Sequence, residues 1–183
     1  GVNSGTDAIQ IALMSLGIGK KDEVITVSNT AVPTVSAIVS CGAVPIYVDI
    51  NKHDYLINTD LIEKRITKKT KAIIPVNLYG QSANYEIINK ISKKYNLKVI
   101  EDCAQSAGAM YKNSPSGGWG DLAAFSFYPT KNLGGSGDGG MIVTKNKSLF
   151  LRCKKLRKYG MSKLYYSDLH GINSRLDEVQ AII

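Results

Sequence analysis

Three short stretches of this 183-residue chain combine residue types that could do chemistry. In Ser126-Phe127-Tyr128-Pro129-Thr130-Lys131-Asn132-Leu133-Gly134-Gly135, an apolar strand runs into a proline turn, and one lysine precedes a glycine-rich loop. Gly134, Gly135, Gly137, Gly139 and Gly140 are expected to let the backbone come close to a ligand. A lysine in such a partly desolvated place can lose its proton and form a Schiff base. The plainer alternative is a surface lysine beside a flexible turn. In Val99-Ile100-Glu101-Asp102-Cys103-Ala104-Gln105, an acidic pair directly follows a buried strand. Side chains alternate along a strand, so only one carboxylate can face the ligand crevice; Asp102 is the expected one. Its plainer alternative is a helix N-cap. In Asn3-Ser4-Gly5-Thr6-Asp7-Ala8, a short loop enters the apolar helix expected over 9–16. Free amides and the dipole at a helix start bind phosphate. There Gly5 permits close approach and Thr6 offers a hydroxyl, although an ordinary Ser or Thr cap uses the same residues.

Together these stretches supply a phosphate cradle, an acid and a Schiff-base lysine. That is the donor set pyridoxal 5'-phosphate requires. A carboxylate keeps the pyridine nitrogen protonated and makes the ring an electron sink. Gln105, three residues past Asp102, is placed to hydrogen-bond the phenolic oxygen of the ring.

The elements that must position these residues alternate between strand and helix. Strands are expected at 23–27, 45–49, 72–78, 98–101, 122–128 and 141–144. Helices are expected at 35–40, from Asn58 or Thr59 to Ile66, at 85–95 and, basic and amphipathic, at 147–159. Such alternation implies an α/β domain, a mainly parallel sheet covered by helices on both faces. Ligands of such sheets sit beyond the carboxyl ends of the strands.

Composition narrows the classes. At 44% hydrophobic, the chain can bury a real core as one domain over 1–183. No apolar run is long enough to span a bilayer, so no membrane association is expected. Cys41, Cys103 and Cys153 are far apart, and His53 and His170 stand alone, which argues against a zinc site or a disulfide framework and for a reducing, cytoplasmic setting. The net charge of +8 reads as a lysine-rich surface, because no nucleic-acid-binding motif accompanies it. A basic surface of this kind would also attract a phosphorylated small molecule. The chain opens in a loop entering a helix and stops within an apparent helix, and is read as a piece of a longer protein.

Seven segments, in order, resemble the DegT/StrS family of sugar aminotransferases: SGTDAI from Ser4, DEVIT from Asp22, GAVPIYVDI from Gly42, VNLYGQ from Val76, IEDCAQSAGA from Ile100, FSFYPTKNLGGSGDGG from Phe125 and GINSRLDEVQA from Gly171. The resemblance implies the large domain of a fold type I pyridoxal-phosphate-dependent transferase, with the small C-terminal domain absent from this chain. It implies Lys131 as the Schiff-base lysine and proton shuttle, Asp102 as the pyridinium partner and Gln105 as its neighbour on the ring. Gly5, Thr6 and Ser126 are implied as phosphate ligands. Asn173 is implied to reach the phosphate of a neighbouring subunit, and hence a homodimer with shared sites. A helix expected to begin near Ser174 would offer polar groups at its start to an anion; the plainer alternative is that Asn173 merely caps that helix. The implied reaction moves an amino group from an amino acid, usually glutamate, to a keto group of a nucleotide-linked sugar. Two features depart from the pattern: many relatives carry an aromatic ring where Ala31 stands, and the family's small C-terminal domain and first N-terminal elements are missing from this chain. The segment TAVPT from Thr30 resembles the branch acting on 3-keto rather than 4-keto sugars. A dehydratase of the same family is the nearest rival, but those relatives replace the lysine with histidine. A non-catalytic cofactor-sensing or interaction protein is the rival from another class.

Overall fold

Short runs rich in Val and Ile form the strands of a central sheet. The structure, a computed structural model that describes residues 1–182, stacks helices on both faces of that sheet. In chain order the elements are α1 (Gly5–Ser15), β1 (Glu23–Val27), α2 (Val32–Ser40), β2 (Val44–Val48), α3 (Thr59–Ile62), β3 (Thr70–Ile74), α4 (Tyr85–Tyr95) and β4 (Lys98–Asp102). They continue with β5 (Met110–Tyr111), β6 (Ser114–Pro115), β7 (Leu122–Ser126), β8 (Gly140–Val143), α5 (Lys147–Leu156), β9 (Met161–Lys163), β10 (Tyr166–Ser167) and α6 (Glu178–Ile182).

The main sheet has the order β2-β1-β3-β4-β7-β8, with every pair parallel except β7–β8. The chain leaves β1 for β2 on one side and then returns past β1 to β3 on the other. The crevice beyond the carboxyl ends of β1 and β3 is therefore a topological switch point, where ligands bind in such sheets.

Strand periodicity decides what faces that crevice. Val24, Ala72, Ile74, Ile100, Leu122 and Ala124 pack into one core with Ile9, Leu13, Ala37, Ile38 and Leu156, residues of α1, α2 and α5. Ile25, Val27, Ile73 and Val99 point the other way, onto Ile62, Tyr85, Ile88 and Ile91 of α3 and α4. Two residues beyond Ile100 and Ala124, the same alternation carries Asp102 and Ser126 to the side of α1 and α2.

Several boundaries differ from those expected from sequence, each for a local reason. The helix expected from 35 begins at Val32, because Pro33 falls in its first turn, where a missing N–H costs nothing. Strand β3 ends at Ile74, since Pro75 cannot donate to the ladder; Val76 makes only an isolated bridge to Asp102. The strand expected to run to 128 ends at Ser126, and helix α5 ends at Leu156 before Tyr159 (φ 58°) and Gly160 (φ 74°) reverse the chain. No helix begins near Ser174, although the polar GINSR segment reads as a helix start. Ser174 is buried in an extended segment, its Oγ accepting from the Asn3 N–H at 3.0 Å, and the helix starts at Glu178.

Candidate active site

The starts of α1 and α2, the ends of β4 and β7 and the turn after β7 enclose one cavity of about 330 Å³. Gly5, Thr6, Asp102, Gln105, Ser126 and Lys131 all line it. Asn173 does not. It is exposed, its segment bridged through the backbone to Lys158.

Helix α1 is capped by Ser4, whose Oγ accepts from the Asp7 N–H at 3.1 Å. Among the described residues the N–H groups of Gly5 and Thr6 make no hydrogen bond within the chain. These are the donors that an anion at a helix start would meet. Gly5 packs directly against Ser126: a Cβ at Gly5 would lie 2.7 Å from Ser126 Cβ and 3.3 Å from its Oγ. The cradle therefore consists of two free amides and a hydroxyl, drawn from elements more than a hundred residues apart in sequence.

After Ser126 the chain turns tightly, with the Lys131 N–H donating to Tyr128 O and the Gly135 N–H to Phe127 O, both at 2.8 Å. The Lys131 ammonium group has no ion-pair partner among the described residues, which leaves it available to a ligand.

The two acidic residues separate as alternation requires. Glu101, fully buried, accepts backbone N–H bonds from Gly117, Trp119 and Gly120 at 2.7–2.8 Å and so holds that loop on the far side of the sheet. Asp102, 4% exposed, lines the cavity. Its Oδ1 accepts from the Ala104 N–H at 3.1 Å and its Oδ2 from the Thr34 hydroxyl at 2.7 Å. Burial pushes its proton affinity above the usual aspartate range, while the Thr34 and Ala104 hydrogen bonds and the charge of Lys131 pull the other way. Cys103 beside it is a buried thiol pushed up to about 12, chiefly by burial and then by the charge of Glu101, so it stays protonated. Gln105 accepts from the Tyr79 N–H at 3.1 Å through Oε1, which leaves its amide nitrogen as the free end.

The five glycines expected to admit a ligand serve another purpose. None lines the cavity; each admits another part of the chain. A Cβ at Gly134 would lie 2.4 Å from Pro129 O, and one at Gly140 would lie 2.5 Å from the carbonyl carbon and oxygen of Ser4. Gly135 and Gly137 face Gln180, and Gly139 faces Leu176 and Phe127. Their effect on the site is indirect: they close the lysine turn and seat the start of α1 against β8. Thr30, Thr34, Tyr128 and Asp138 also line the cavity, and sequence reasoning gives them no role. Two threonines four apart at a helix start are the available signal. Ala31 lies exposed on the wall, and Tyr128, half exposed, is the one aromatic side chain among the described lining residues.

An amine, a buried carboxylate and an anion cradle around a cavity of this size fit pyridoxal 5'-phosphate. With this fold they define the large domain of a fold type I pyridoxal-phosphate-dependent transferase. The chain belongs to the DegT/DnrJ/EryC1/StrS aminotransferase family, whose sequence model matches residues 1–183. It is 50% identical to the dTDP-3-amino-3,4,6-trideoxy-alpha-D-glucose transaminase of Micromonospora megalomicea subsp. nigra, over 100% of this chain and 49% of that protein. Among solved structures it is similar to S. venezuelae DesV, determined in complex with a ketimine intermediate (44% identity, TM-score 0.95, covering 98% of this chain and 48% of that one). It is also similar to NtdA from Bacillus subtilis with bound cofactor PMP (39% identity, TM-score 0.93, covering 98% and 41%). The chain spans about half the length of the curated relatives it matches. Among the described residues no helix is long and apolar enough to cross a membrane.

Proposed function

We propose that the full-length protein is a pyridoxal-phosphate-dependent aminotransferase of the cytoplasm. It takes an amino group from an amino acid, glutamate, and delivers it to the keto group of a nucleotide-linked sugar, a 3-keto-6-deoxyhexose, as a homodimer with shared sites. The observation that carries this reading is the convergence of Lys131, Asp102 and the Gly5–Thr6–Ser126 cradle on one cavity. When bound, the cofactor supplies an electron sink for the charge left as a proton leaves the carbon bearing nitrogen.

The residues of the chain divide the remaining work. Lys131 Nζ, on its tight turn, would hold the carbonyl end of the cofactor and, once its amine is free, would take up and return the proton of the amino donor. Ionised Asp102 keeps a proton on the ring nitrogen, and its burial strengthens that charge pairing. The free amide of Gln105 donates to the ring oxygen. The amides of Gly5 and Thr6 and the hydroxyl of Ser126 take the phosphate. Asn173, exposed and away from the cavity of its own chain, acts at the site of the partner subunit.

The sugar substrate is supported by the activity named for the Micromonospora relative and by the TAVPT segment from Thr30. Lys131 disfavours the dehydratase reading, and the intact constellation disfavours a purely non-catalytic one. The test is to incubate the full-length protein, cofactor and glutamate with dTDP- and UDP-linked 3-keto and 4-keto sugars and to follow amino-sugar formation by mass spectrometry. Turnover of a 3-keto sugar is expected. Water loss from the sugar without amination, or no turnover by protein saturated with cofactor, would refute the reading.

A further inference from the structure

The carboxylate of Asp102 does not stand alone. Thr34, 1% exposed and in the first turn of α2, donates its hydroxyl to Asp102 Oδ2 at 2.7 Å. Thr30, just before that helix, lies 2.8 Å from Thr34, oxygen to oxygen. A hydroxyl has one proton. With Asp102 ionised, the proton of Thr34 goes to the carboxylate, so the Thr34 oxygen must accept from Thr30. The chain of donors therefore runs Thr30 to Thr34 to Asp102, from the cavity wall inward, and the far oxygen of the carboxylate is pinned by the Ala104 N–H.

We propose that Thr34 is a positioning residue: it fixes the rotamer of Asp102 toward the cavity and holds that buried carboxylate ionised for a cationic ring nitrogen, with Thr30 ordering the hydroxyl proton of Thr34. The proposal rests on the reading of Asp102 as the ring partner. Three observations favour a role beyond satisfying a buried hydroxyl. Asp102 is buried where burial favours its neutral form. Only two hydrogen-bond donors reach it among the described residues, and Thr34 makes the shorter bond. Thr34 also comes from a different element than the β4 strand that carries Asp102, so the bond ties the start of α2 to the site. The ionisable groups around Asp102 among the described residues are Lys131, Tyr128 and Asp138 on the same cavity, Glu101 and Cys103 beside it on its own strand and the following loop, and the buried Tyr85 of α4.

Without the Thr34 hydroxyl, the carboxylate keeps one donor in a buried place, and the shared proton moves from the ring nitrogen toward Asp102. Full-length apoprotein carrying Thr34→Val, Thr34→Ser, Thr30→Val or Asp102→Asn is titrated with pyridoxal 5'-phosphate, and the visible absorbance of the bound cofactor is followed against pH. Thr34→Val is expected to weaken cofactor binding about tenfold, a loss of one charge-assisted hydrogen bond. It should also move the titration of the band to higher pH, because a ring nitrogen without its proton no longer depresses the proton affinity of the lysine linkage. Thr34→Ser restores both readouts, and Thr30→Val shifts them in the same direction but less. Thr34→Val combined with Asp102→Asn should be no worse than Asp102→Asn alone, as expected for two residues acting through one contact. Wild-type affinity and wild-type titration in Thr34→Val, additive losses in the double variant, or Thr34→Ser as impaired as Thr34→Val would each overturn the proposal while Asp102 remains the ring partner. If Asp102→Asn itself leaves both readouts unchanged, the assignment of Asp102 fails and takes the proposal with it. Should Thr34→Val not fold, as judged by circular dichroism, the Thr34→Ser and Thr30→Val arms still decide.

Discussion

Gly5→Ala sets two effects against each other, and the structure says which wins. Alanine is the better helix former, and in an open helix the change would stabilise by about 0.5–1 kcal/mol. Gly5 is not in the open. The new methyl would lie 2.7 Å from Ser126 Cβ, a separation that real Cβ atoms do not tolerate, so α1 or the end of β7 must move. Overpacking of this kind costs roughly 1–3 kcal/mol. The net loss is about 1 kcal/mol, a fall in Tm of about 2–4 °C for a domain of this size. The larger consequence falls on the cradle. On the proposed role of Ser126 as a phosphate ligand, displacing its hydroxyl would remove one hydrogen bond to a charged group, worth about 1.5–3 kcal/mol, so cofactor affinity should fall by one to two powers of ten. The assay is a thermal melt of the apoprotein beside a fluorescence titration with pyridoxal 5'-phosphate. A second variant sharpens it. Ser126→Gly removes the atom that is struck, so the pair Gly5→Ala/Ser126→Gly should regain stability but not cofactor affinity. If Gly5→Ala raises Tm and binds cofactor normally, the close packing of these two residues and the cradle built on it are both wrong.

Lys131→Ala should abolish turnover and leave no cofactor that borohydride reduction can fix to the protein; covalently retained cofactor in that variant would assign the link to another residue. Asp102→Asn should slow transamination roughly a hundredfold or more by removing a buried charge partner, whereas Glu101→Gln should cost stability through its three backbone bonds and leave turnover per folded enzyme nearly intact. The folded-state pKa of Asp102 is raised from about 3.8, so the stability it contributes to the apoprotein is full below that pH and is lost as pH rises through the folded value. Glu63, Glu86 and Asp168 have lowered proton affinities and pull the other way, so the readout is the difference: in denaturant melts the wild type should lose stability relative to Asp102→Asn as pH rises through the folded value, and parallel profiles would contradict the assigned direction. Mixed full-length subunits carrying Lys131→Ala and Asn173→Ala should regain up to roughly half the wild-type sites in each heterodimer if Asn173 acts in trans, and no recovery despite proven subunit exchange would confine Asn173 to its own chain or to no site.

Much of this protein is legible in the sequence alone, because it is written in local patterns. Apolar runs of about five residues, broken by Pro and Gly and alternating with helical spacing, determine the parallel α/β sheet. The two-residue period of a strand says that only one of Glu101 and Asp102 can face the cavity; that it is Asp102, on the face of Ile100 and Ala124, is decided by the packing of α1 and α2 on that side. The order of the seven motifs carries the family. Relations between distant segments are not legible in this way. The ring of glycines after Lys131 looks like a ligand loop along the chain. Only the packing shows that Gly140 exists for the backbone of Ser4 and Gly134 for the carbonyl of Pro129. The Thr34–Asp102 bond joins residues 68 positions apart, and neither residue type announces the other. Asn173 sits in a segment that reads as a helix start, yet its neighbour Ser174 is drawn into an extended path by the N–H of Asn3, 171 residues away. Local propensity fixes which element forms. Close approach, hydrogen-bond pairing and burial across the fold are settled only when the elements meet, since those energies depend on distances that no stretch of chain contains.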